Sequence, residues 1–164
     1  MNQYQIDIIK LATTQLGVAE TANFENPSIL KYFDAFTLEQ SLVTQTTPWC
    51  SIFLNWVMWQ LGLSRSRNVT ARSWLQCGIE VEFPDIGDIA VFWRESAKSE
   101  KGHVGIYFAE TDEQILILAG NQSDKVSFKW LDKSRLLGFR SMVQRSYLHD
   151  VELTEETSFH KIIK

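Results

Sequence analysis

Cys50 and His103 are the side chains in this chain best placed to do chemistry together. Cys50 follows Thr47–Pro48–Trp49 and leads an aromatic, apolar run, so it sits where a helix should begin. With Thr47 as the N-cap, Pro48 is the first helical residue and Cys50 the third. A thiol there faces unpaired backbone N–H groups and the positive end of the helix dipole. Both favour the thiolate, the reactive form, and lower its pKa. The same N–H groups can hold an oxyanion during acyl transfer. The plainer alternative is that Cys50 is a small buried hydrophobe. Cys77 is expected at the far, negative end of its own helix, which disfavours a thiolate, and it reads as structural.

His103 opens an alternating run, 103–109, and a second apolar run, 115–119, ends in Gly120–Asn121. Together they read as a β-hairpin. A turn centred on Asp112 places His103 opposite Asn121, with their Cβ atoms about 5 Å apart on one face. Asn121 can then accept a hydrogen bond from one ring nitrogen and leave the other aimed at a thiol. A shift of half a residue in the turn puts the two on opposite faces. Gly120–Asn121 is also ordinary turn chemistry. His149 and His160 lie in a polar tail and make poorer bases. No histidine has metal-ligand spacing with a cysteine, so no metal and no cofactor is expected.

The elements that must position these residues divide the chain in two. The first half is helical: Ile6, Ile8, Ile9, Leu11, Ala12 and Leu16 repeat at a helical period, closed by Gly17. Asn26–Pro27 opens a short helix through Phe36, and a polar loop covers 37–47. The helix from Pro48 to Leu61, stopped by Gly62, is apolar on nearly every side and should be buried all round. A shorter helix covers 70–77, stopped by Gly78. Strands are expected at 89–93, 103–109, 115–119, 126–130 and 136–140, each short and bounded by polar residues. Helices followed by an antiparallel sheet indicate an α+β fold.

One domain at 1–140 with a polar extension at 141–164 fits a chain of 164 residues. Formal charge is −4 and pI about 5.4, against a non-specific nucleic-acid binder. No signal peptide and no membrane-spanning run is recognisable, so synthesis in the cytoplasm is expected. Two cysteines make no disulfide framework, and a cytoplasmic origin argues against a Cys50–Cys77 bridge.

Several ordered motifs resemble a known family. They are Pro48–Trp49–Cys50–Ser51, Ala71–Arg72–Ser73–Trp74–Leu75, the stretch from Pro84 through Gly87–Asp88 to Trp93, Gly102–His103–Val104–Gly105–Ile106–Tyr107, Gly120–Asn121–Gln122–Ser123–Asp124 and Ser134–Arg135–Leu136–Leu137–Gly138–Phe139–Arg140. The opening segment around Leu16–Gly17–Val18 and Asn26–Pro27 is similar too. The resemblance, to the NlpC-type and CHAP (cysteine, histidine-dependent amidohydrolase/peptidase) cell-wall hydrolases, covers residues 12–140. It implies a papain-like fold with Cys50 as nucleophile, His103 as base and Asn121 as third member, a position that varies among Asn, Asp, Glu, His and Gln. Cys77 departs from the larger residue expected there.

The resemblance further implies peptidoglycan as substrate, cut at a stem-peptide bond or the sugar–peptide amide. Trp49, Arg72 and Trp93 are candidates to line the substrate groove, against simple core packing for the two rings. Asp88 reads as a turn residue. Alternatives are a protease or transglutaminase acting on protein, or a non-catalytic binding module. A cell-wall enzyme without a signal peptide must be delivered to the wall or periplasm, as a phage lysin or as a secreted antibacterial toxin. The toxin is favoured because no wall-binding domain is recognisable, and it requires an immunity protein that plugs the groove.

Overall fold

Asn2 opens the first helix, α1 (Gln3–Thr13), with a reciprocal cap: its side chain accepts from the Gln5 N–H and the Gln5 side chain accepts from the Asn2 N–H. The computed structural model describes residues 1–21, 26–36 and 48–142. Ile8 and Ala12 carry the buried face of α1. The helix ends ahead of Gly17, whose N–H bonds the Val126 carbonyl and ties the helix exit to the sheet.

Asn26 caps α2 (Pro27–Leu30) through the Ser28 N–H, with Pro27 in the first turn as the sequence suggests. The chain then tightens into a 3-10 turn, Lys31–Ala35. Tyr32 from that turn meets Trp49, Phe53 and Trp56, with ring centroids 6.0, 5.2 and 5.1 Å away. These rings build the aromatic part of the core. Such pairs add about 1 kcal/mol each beyond the area they bury.

The central helix, α3, is Cys50–Gln60, and every residue from Cys50 to Met58 is buried, as its all-round apolar pattern requires. Its end is a Schellman closure: the Leu63 N–H reaches the Met58 carbonyl and the Gly62 N–H that of Trp59, with Gly62 at φ +66°. Its start differs from the expectation. Trp49 is the N-cap and Cys50 the first helical residue, not the third. The proposed cap, Thr47, lies outside the described residues. The helix expected at 70–77 is a 3-10 segment, Ala71–Gln76.

Among the described residues the second half forms one antiparallel sheet. Its strands are β1 (Ile79–Val81), β2 (Ile89–Trp93), β3 (Gly102–Glu110), β4 (Gln114–Ala119), β5 (Ser127–Asp132) and β6 (Leu136–Ser141), in the order β1-β6-β2-β3-β4-β5. Five of the six were expected. The short β1, half-exposed and bounded by turns, was not. The fold is therefore α+β. Val91, Val104, Ile106 and Leu118 point to α3 and join the main core. Alternate residues Phe92, Tyr107, Ile117, Leu131 and Phe139 form a smaller cluster on the opposite face. Asp88 has the turn role read for it, and more: buried, it accepts from the Asp85 N–H and from Gln5 Nε2, each at 2.8 Å, pinning α1 to β2.

Candidate active site

Cys50 is buried at the first turn of α3. Its sulfur accepts from the backbone N–H of Val104 on β3, and the amides of Ser51 and of Cys50 itself also favour the thiolate, as does the charge of Arg94. Burial outweighs these and pushes the thiol pKa up. The lowered pKa expected at a helix start is therefore not the resting state: removal from water costs the anion more than the helix end returns. Beneath the thiol lies a buried polar network. Ser51 Oγ donates to the Asn68 carbonyl (2.7 Å) and accepts from Trp74 Nε1 (2.8 Å), while Asn55 Nδ2 donates to the Ser51 carbonyl (2.9 Å). The free Cys77 is buried too, its pKa raised to about 11 by burial, consistent with a structural role.

His103 sits near the start of β3, paired with Phe92 of β2. Its Nε2 lies 3.2 Å from Gln122 Oε1. The Gln122 amide is oriented by its other end, since its nitrogen donates to the Ser127 carbonyl, which can only accept. Oε1 must then face the ring, so Nε2 carries the proton and Nδ1 keeps its lone pair. The ring is held neutral: burial lowers its pKa to about 4, opposed by the Gln122 hydrogen bond and assisted by Arg94, Lys129 and Arg135.

Asn121 is thus not the residue on the ring. The register expected from the hairpin holds near the site, where Ile106 faces Leu118 and Tyr107 faces Ile117. But β4 ends at Ala119, and Asn121 turns out of the strand at φ +57°. That turn brings the next side chain, Gln122, back to His103. Asn121 still lines the same cavity.

The sulfur and the ring flank one stretch of β3, the sulfur against the Val104 amide on the α3 side and the ring with Phe92 on the other. Among the described residues no hydrogen bond joins them. Two cavities adjoin this stretch. One, of about 310 Å³, is lined by Cys50 with Pro48, Val69 and Ala71. The other, of about 220 Å³, is lined by His103 with Asn121 and Gln122. Arg94 lines both and acts electrostatically on both groups. Neither Arg94 nor Gln122 stands out in the sequence, since each follows a motif residue that takes the eye, Trp93 and Asn121.

The groove candidates separate. Trp49 is fully buried, stacked on Tyr32 and donating from Nε1 to Glu20, so it belongs to the core and not to a substrate surface. Arg72 Nη2 donates to the Ala97 carbonyl at 2.9 Å, fastening the β2–β3 loop. Trp93 lines a wide depression of about 660 Å³ with Pro48, Arg94 and Arg135, its ring carrying the Arg135 guanidinium at 5.5 Å. Among the described residues no helix is long and apolar enough to cross a membrane, and no cluster of ligands could hold a metal ion. No protein-family model matches the chain, and no curated protein matches it.

Proposed function

We propose that this chain is a papain-like cysteine amidohydrolase of the NlpC/CHAP type that cuts an amide bond in or next to the stem peptide of peptidoglycan. The observation that supports the reading is that neighbouring residues of β3 serve both groups: the Val104 amide favours the helix-start thiolate, and His103, next to it in the strand, has a tautomer that leaves Nδ1 free to act as a base. Neutral thiol and neutral imidazole form the resting pair. As substrate enters, His103 Nδ1 takes the Cys50 proton while the sulfur bonds to the amide carbonyl carbon. Catalytic hydrogen bonds that are open in a free enzyme commonly close only in the substrate complex. The Cys50 amide, at the positive end of the α3 dipole, supports the oxyanion. His103 returns the proton to the leaving amine, and water, deprotonated by the same ring, cleaves the thioester. Gln122 serves as the third member, holding the ring through Nε2–H.

Purified peptidoglycan digested with the wild type should release soluble muropeptides whose masses identify the bond. Cys50→Ala and His103→Ala should each abolish release while retaining the native circular dichroism. Equal release by Cys50→Ala would overturn the reading. If the chain reaches the wall as a toxin, its immunity partner would cover the thiol cavity.

A further inference from the structure

We propose that the cavity beside His103 is a carboxylate subsite, and that it selects stem peptides carrying a free carboxylate next to the bond that is cut. The inference rests on the hydrolase reading for the source of that carboxylate. Its basis is the cavity itself. Arg94 after β2, Lys129 on β5 and Arg135 before β6 all line it, together with His103, Asn121 and Gln122, and no carboxylate does. Three cations from three separate elements share about 220 Å³ in a chain whose formal charge is −4. Placing like charges together is unfavourable unless an anion joins them.

Among the described residues no acid is paired with them. The described ion pairs use other cations: Lys101 with Glu95, Lys133 with Glu110, Arg140 with Glu80, and the N-terminus with Asp85. Arg135 gives Nε and Nη2 to the Trp93 carbonyl, which aims the guanidinium, and among the described residues Nη1 has no hydrogen-bond partner. Such a preset guanidinium suits an oxygen anion. The cavity on the thiol side is different in kind, with Pro48, Val69 and Ala71 in its walls. Arg94 stands between the two. A substrate lying across β3 would therefore place an anionic group beside the ring and an apolar one beside the sulfur.

Two synthetic tripeptides test this, L-Ala-γ-D-Glu-L-Lys and its α-carboxamide counterpart with D-isoglutamine. Binding is measured by calorimetry on Cys50→Ala, which blocks turnover, with inorganic phosphate as a third probe. The free acid should bind about tenfold more tightly than the amide, the size expected of a charged hydrogen bond. Lys129→Gln and Arg94→Gln, each exposed, should narrow that preference to near unity in the Cys50→Ala background. Equal affinity for acid and amide would overturn the subsite, and so would phosphate binding as tightly as the acid. Acid preference without any cleavage of peptidoglycan by the wild type would keep the subsite and remove the hydrolase. Cleavage without acid preference would do the reverse.

Discussion

Gln122 uses both ends of its amide, one on the Ser127 carbonyl and one on the His103 ring, and so decides which ring nitrogen is basic. Gln122→Ala should lower kcat about 100-fold, the scale of a misplaced general base, with KM little changed. Asn121→Ala should leave kcat within a few-fold, because its side chain is not on the ring. Steady-state kinetics on released muropeptides separates the two. A second prediction concerns pH. In the unfolded chain His103 protonates near its ordinary value of 6.5, but in the folded chain only near about 4. Between those values the unfolded state binds more protons, so stability is lost as pH falls, by up to roughly 3 kcal/mol. Urea midpoints measured from about pH 7 to about pH 4 should show that slope, and His103→Gln should flatten it. The histidine was legible from its place at a strand start. Its partner was not, because hairpin counting assumes that β4 runs on to Asn121, and a backbone at φ +57° breaks that count.

At the scale of elements, the thiol depends on how closely α3 approaches the end of β4. Gly120 permits that approach: a Cβ there would lie 2.5 Å from the Trp49 ring and 2.9 Å from Phe53 Cβ. Gly120→Ala should therefore destabilise the fold by about 1–3 kcal/mol, as overpacking does, and displace Gln122 from the ring. Urea unfolding gives the first, and loss of activity at a temperature where the fold persists gives the second. Ser51→Ala should cost about 1–3 kcal/mol, since it leaves the buried Trp74 Nε1–H without its acceptor. Helix stops were plain in the sequence because glycine signals them locally, as at Gly62. The start of α3 was harder to place, because no side chain caps it and Trp49 takes the cap position for its packing. Propensity also does not distinguish an α-turn from the 3-10 turn at Ala71–Gln76, where burial of Ala71 and Trp74 sets the geometry.

For the whole molecule, the division into leading helices and a trailing antiparallel sheet was readable from hydrophobic period alone. The strand order was not. β6 lies between β1 and β2, and pairing across such sequence separations leaves no local signal. The opposite charge of the site and the molecule was equally hidden, since Arg94, Lys129 and Arg135 are scattered along the chain and meet only when folded. The two thiols should also behave alike in one respect. Both are buried with raised pKa values, so alkylation of the native protein near neutral pH should be slow at each, and slower than in urea. Mass spectrometry of the alkylated peptides reads both sites at once.

The late arrival of β6 has a consequence for the growing polypeptide. Until residues 136–141 emerge from the ribosome, β2 has one edge unsatisfied, and Arg135, which clasps the Trp93 carbonyl, has no neighbouring strand to anchor it. A nascent chain holding every residue from Cys50 to Gln122 would thus still lack a finished pocket. Completion of the pocket, and of any activity that depends on it, would wait until translation has passed β6.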